Sequence, residues 1–186
     1  DDGAGMTRAQ LLNAMRLGSR NPLEERDPAD LGRFGLGMKT ASFSQCRRMT
    51  VRTRPKGSRT TTRCWDLDCV NRTGEWRLLG AISDETERRL FPFAENRNGT
   101  IILWEVLDRI VADTETNDPK DQQHFLELVD SVRVHLGVVF HRFMTGARPL
   151  PIYINGTESF NLVQPWNPFL EDHSATQQVQ SELIPF

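Results

Sequence analysis

No run in this chain approaches the roughly 20 apolar residues of a membrane-spanning helix, so no membrane partner is expected. Neither sign of charge is in excess: 23 Lys and Arg stand against 25 Asp and Glu, a formal net charge of −2. Bulk charge therefore gives no pointer to nucleic acid or to an anionic surface. Cysteine is scarce. Cys46, Cys64 and Cys69 are odd in number and lack zinc-type spacing, so they read as reduced thiols of a cytosolic protein. His124, His135, His141 and His173 show no metal spacing either, and read as structural or exposed. No signal peptide, internal repeat or low-complexity segment is visible. The expected location is the cytoplasm, or the nucleus of a eukaryotic cell.

What is present is ordinary soluble-domain composition. Of 186 residues, 38% are hydrophobic and 26% charged, enough to bury a real core in one domain or one domain plus part of a second. Thr7 reads as an N-cap with Gln10 closing a capping box, opening a helix that runs to about Leu17 and stops at Gly18. Residues 19–31 hold Pro22, Pro28 and six charged side chains and read as a mobile loop. A second helix starts near Gly37. Strands follow at Met49–Arg54, Thr60–Val70 and Glu75–Ile82, an antiparallel meander punctuated by Gly57-Ser58 and Thr73-Gly74. Asn98-Gly99 precedes a fourth strand, Thr100–Leu107. Residues 109–121, with Pro119, read as a linker. From Phe125 to Phe143 apolar residues recur at steps of three and four, the pattern of a long helix. Leu150–Ile154, the turn Asn155-Gly156 and Thr157–Val163 read as a hairpin. The fold class is thus a two-layer α/β (α+β) sandwich, a mainly antiparallel mixed sheet with helices on one face.

Chemistry is concentrated in three glycine clusters: D-D-G-A-G-M at Asp1–Met6, G-R-F-G-L-G-M-K-T-A at Gly32–Ala41, and N-G-T at Asn98–Thr100. Any one alone is as readily a packing turn. In the second, Gly35 and Gly37 strip side chains from the start of a helix. There, free N–H groups and the positive end of the dipole favour an anion. Lys39 adds a point charge. It is not a Walker A loop, because Met38 sits where the glycine before the lysine must be, and the dinucleotide fingerprint lacks its strand and spacing. In the first cluster, Asp1 can accept from an exocyclic amine while Gly3 and Gly5 let a flat base approach the backbone. A carboxylate facing a guanine O6 is repelled, which favours ATP over GTP.

In order and spacing the three clusters resemble the signature of the GHKL ATPases, the class of gyrase B, heat-shock chaperones, sensor histidine kinases and MutL. G-R-F-G-L-G-M-K-T-A-S most resembles the MORC-like and chaperone-like branches. The resemblance implies a Bergerat-type fold and an ATP site. Asp1 would contact the adenine amine, and Gly3 and Gly5, with Met6 beside them, would line the base. Gly32, Phe34, Gly35, Leu36 and Gly37 would form the phosphate loop, with Lys39 a phosphate contact. Thr100 would support Asp1 through water. It also implies an ATP lid at about Gly18–Leu31, Mg2+ as cofactor, and homodimerisation of the intact protein. Residues 1–118 would be the ATP-binding domain, 119–148 a connecting helix and 149–186 the start of a transducer-like domain. The family's first motif, carrying the glutamate base and the Mg2+-binding asparagine, is expected upstream of Asp1. No catalytic base and no metal ligand can therefore be named. The intact protein is expected to hydrolyse ATP; the alternatives are a nucleotide-gated switch binding nucleic acid or protein, or a sensor kinase domain.

Other clusters carry weaker readings. Arg47, Arg48, Arg52, Arg54, Lys56, Arg59 and Arg63 form a basic run open to nucleic acid, although a solvated hairpin is the commoner case. Asp66 and Asp68 share a face of the expected strand, where they could hold a cation. The four tryptophans read as core or interface residues.

Overall fold

A computed structural model describes residues 1–18, 35–90, 98–110, 117–170 and 174–176. The chain divides into two compact units, Asp1–Asp113 and Thr114–Phe186. No helix among the described residues is long and apolar enough to cross a membrane.

The first unit begins with α1 (Arg8–Met15). Its capping box forms as the sequence predicts: Thr7 Oγ1 accepts from Gln10 N (3.3 Å), and Gln10 Oε1 accepts from Thr7 N (2.8 Å). Leu11 and Met15, four apart, are fully buried. The last carbonyls of so short a helix need partners. Lys39 Nζ donates to Ala14 O (2.6 Å) and Trp65 Nε1 donates to Met15 O (2.9 Å). α2 (Gly37–Phe43) follows, then the antiparallel strands β1 (Arg48–Arg54), β2 (Thr61–Asp66) and β3 (Gly99–Glu105). Among the described residues the sheet order is β2-β1-β3. Met49, Val51 and Trp65 on one face pack with Leu11, Met15 and Cys46 as the core.

The sheet departs from the expected meander. Residues 60–70 do not form one strand: β2 stops at Asp66, whose carboxylate accepts from Cys69 N (3.0 Å) and so N-caps α3 (Leu67–Thr73). Gly74 closes that helix in the left-handed region, φ 69°. Glu75–Ile82 contributes only an isolated bridge, Leu79 with Cys64. The central strand β1 is instead flanked by β2 and by β3, which pairs Thr53 with Thr100. A further helix, α4 (Asp84–Leu90), occupies a stretch with no predicted element. Side chains alternate along a strand, so Arg52 points away from Val51. It bonds Glu87 of α4 (2.5 Å), while Thr86 donates to the buried Glu105 carboxylate (2.9 Å). α4 therefore lies on the face opposite α1 and the core.

The second unit is built on α5 (Pro119–Val139). Pro119, read both as part of a linker and as the start of the 119–148 connecting helix, is the first residue of α5. A missing N–H costs nothing there, and Asp118 supplies the cap. α5 gives way at Phe140 to α6 (His141–Met144). The expected hairpin is reduced to a bridge between Tyr153 and Leu162, with a 3-10 turn at Ser159–Asn161 occupying its return arm.

Candidate functional site

The first and third glycine clusters meet on the outer side of β3. Asp1 and Thr100 exchange main-chain bonds: the Asp1 nitrogen donates to Thr100 O (2.8 Å) and Thr100 N donates to Asp1 O (3.2 Å). Gly99 permits this. Its φ is 133°, and a Cβ there would run into the Asp1 carbonyl. The Asp1 carboxylate turns back on its own loop, Oδ1 accepting from Gly3 N (3.0 Å), an Asx turn. Asn98 Nδ2 donates to Gly3 O (2.6 Å), holding the same loop from the other side. Gly5 adopts φ 69° and lies so close to Arg54 O that any side chain would collide with it.

Thr53 binds these pieces together. Its side chain is fully buried. Oγ1 accepts from Met6 N (2.9 Å), donates to Gly99 O (3.0 Å) and is 2.9 Å from Thr100 Oγ1. The sequence reading did not single out Thr53, and it named Asn98 only as part of the third cluster, without a role. The signal for Thr53 was available: Met49, Val51 and Thr53 share the buried face of β1, and a hydroxyl among core side chains needs bonded partners.

The second cluster sits at the start of α2. Gly35 has φ 63°, Leu36 is the N-cap without a side-chain bond, and Gly37 begins the helix. Gly32 and Phe34, and the expected lid after Gly18, lie outside the described residues. Lys39, expected as a phosphate contact, has a second engagement. It is 2% exposed, and its ammonium is engaged by Ala14 O instead of pointing to solvent. A buried cation needs an acceptor, and the C-terminal end of α1 offers carbonyls carrying the negative end of the dipole. Burial also pulls the Lys39 pKa below its ordinary value.

Some of the remaining candidates pair with one another. Arg47 meets Asp68 (3.3 Å) and Arg48 meets Asp66 (2.9 Å), so the two aspartates do not share a free face and the basic run is partly neutralised. Among the described residues no group of three His, Cys, Asp or Glu side chains is placed to hold a metal ion. Hollows open among the described residues of this unit. One of about 540 Å³ lies between α1 and the Trp65–Trp76 pair, and one of about 210 Å³ lies beside Arg48, Asp66 and Thr86. Neither is lined by a glycine-cluster residue.

Residues 1–100 match the family of histidine kinase-, DNA gyrase B- and HSP90-like ATPases. The chain belongs to this family. A comparison with curated proteins found no match. Family membership makes the first unit an ATP-binding ATPase domain of the GHKL type. The matched span contains all three glycine clusters and the strand that carries Thr53.

Proposed function

We propose that this chain is the nucleotide-binding part of a Mg2+-dependent ATPase. The adenine would lie against Asp1, Gly3, Gly5 and Met6, and the phosphates against Gly32–Gly37. The observation that carries this reading is the junction of Asp1, Thr53 and Thr100, where the Asp1 main chain pairs with Thr100 and the half-buried Thr100 hydroxyl meets Thr53 at a glycine-walled edge of the sheet. α1 joins the two halves of the site. Met6 lies two residues before its start and the Lys39–Ala14 bond near its end, and Arg8 to Ala14 spans about 9 Å at 1.5 Å per residue. That suits an elongated ligand with a base at one end and an anion at the other. In this reading Lys39 acts first by fixing the end of α1. An ammonium has three donors, and Ala14 uses one.

The finer proposals follow the family pattern. Residues 18–31 act as a lid that closes over bound ATP, the intact protein dimerises on closure, and residues 149–186 begin a transducer-like domain beyond the 119–148 helix. The G-L-G-M-K-T-A-S stretch favours a MORC-like or chaperone-like branch. Mg2+ would accompany the phosphates and takes few ligands from protein, so the absence of a three-ligand cluster among the described residues does not weigh against it. Catalysis would rest on positioning and charge stabilisation. A nucleic-acid switch working through Arg47–Arg63 is less favoured, because Arg47, Arg48 and Arg52 already have acidic partners.

Calorimetric titration with Mg-ATP tests the site. Asp1→Asn replaces an acceptor by an amide that turns donors toward the amine, and should weaken binding by at least about tenfold. Unchanged affinity removes Asp1 from the pocket.

A further inference from the structure

We infer that Thr53 is a specificity-determining positioning residue, which fixes the Thr100 hydroxyl as a pure acceptor and so biases the pocket toward 6-aminopurine over 6-oxopurine nucleotides. The inference rests on the proposed placement of the base beside Asp1 and Thr100. A hydroxyl has one hydrogen to donate and two lone pairs to accept with. Met6 N can only donate, so it occupies one lone pair of Thr53 Oγ1. Gly99 O can only accept, so it takes the single Thr53 hydrogen. The third neighbour, Thr100 Oγ1 at 2.9 Å, must then donate into the remaining lone pair. Every valence of Thr53 is filled, and the side chain is fully buried, so no water can substitute for any of these partners.

The consequence appears one residue away. Thr100 is half-buried, with its hydroxyl hydrogen committed to Thr53. What it presents directly to a ligand is a lone pair, and a water bridging it to the Asp1 carboxylate would spend both hydrogens on those two acceptors and turn a lone pair to the ligand. The ionised Asp1 carboxylate, already accepting from Gly3 N, is likewise an acceptor. The junction therefore presents acceptors and no side-chain donor. An exocyclic amine satisfies it; a carbonyl oxygen in the same place meets only lone pairs. Without Thr53, the Thr100 hydroxyl would rotate freely and donate to that carbonyl.

The test is the ratio of ATP to GTP affinity of the whole chain, measured with each Mg-nucleotide by calorimetry. Thr53→Val removes the acceptor that holds the Thr100 hydrogen. The ratio should fall about tenfold, the size of one reversed hydrogen bond, with GTP affinity rising. Thr53→Ser keeps the hydroxyl and should restore the wild-type ratio. If Thr53→Val does not fold, Thr53→Cys retains bulk with only a weak donor and acceptor, and its ratio should fall too. A merely structural role would lower both affinities together and leave the ratio unchanged, which overturns the inference while ATP binding and the Asp1→Asn loss still stand. Wild-type protein that binds no ATP overturns both the site and this inference.

Discussion

Asp66 illustrates how one side chain can be misread from its neighbours. Beside Asp68 in a β-rich stretch it suggested a cation ligand. Its two oxygens are instead divided between Cys69 N at the start of α3 and Arg48 Nε across the sheet. Burial pushes its pKa up, but the bonds from Cys69 N and Arg48 outweigh burial and hold it below the usual carboxylate value. A folded-state pKa below the unfolded one, about 3.9, means stability that is fully present above pH 4–5 and lost as pH falls through the folded value. Asp66→Asn keeps a competent cap but cannot titrate. In urea unfolding it should cost about 1 kcal/mol at pH 6, and that deficit should shrink toward zero near pH 2–3. An identical deficit at both pH values would mean the carboxylate's charge contributes nothing. Residues in Asp1–Met6, Gly35–Gly37 and Asn98–Thr100 were legible in sequence because glycine at fixed spacing reports backbone demand directly. Thr53 carried a weaker signal, a hydroxyl in step with core positions of β1, because its partners Met6 and Gly99 lie 47 and 46 positions away and only folding brings them to one oxygen.

At the scale of elements, the sequence predicted those whose signals are local. The capping box placed α1, and the three-and-four apolar spacing placed α5. Boundaries set by tertiary contact were missed. β2 ends at Asp66 because Asp66 becomes a cap, and Glu75–Ile82 touches β2 only at Leu79. Sheet order was hidden as well, since β3 reaches β1 across 44 residues between Arg54 and Gly99 that include α3 and α4. Gly137, inside α5, shows local propensity and packing in conflict. Alanine there would gain about 1 kcal/mol of helix propensity. However, its Cβ would meet Gln164 O at 2.5 Å, in a segment anchored by Trp166 N donating to Gly137 O (3.0 Å). Moving that segment would also disturb Val163, 1% exposed, whose burial is worth about 1.5–3 kcal/mol. Packing should win. Gly137→Ala is expected to lower stability by about 1–2 kcal/mol in denaturant titration, and a stabilised variant would show that the 163–166 segment yields without loss.

For the whole molecule, the question is which unit responds to nucleotide. The family match lies within the first unit, and so does every candidate contact to the base and phosphates. A ligand that binds only the folded form stabilises it by RT ln(1 + [L]/Kd), about 2.7 kcal/mol at a hundred times Kd. That stabilisation belongs to the structure that must open to release the ligand. Hydrogen exchange resolves it residue by residue. With saturating Mg-ATP, amides of α1, of β1 near Thr53 and of β3 from Gly99 should slow by about a hundredfold if they exchange through unfolding of that unit. Amides of α5 between Val129 and Leu136 should keep their rates. Protection gained equally in α5 would mean that the nucleotide couples both units or binds elsewhere. Protection at α2 without any at Gly3–Met6 or Gly99–Ile101 would mean an anion site at the glycine helix start that holds triphosphate and ignores the base. That last pattern would leave Thr53 and Asp1 as stitches of the sheet edge alone, so the exchange map separates a nucleotide pocket from a phosphate loop.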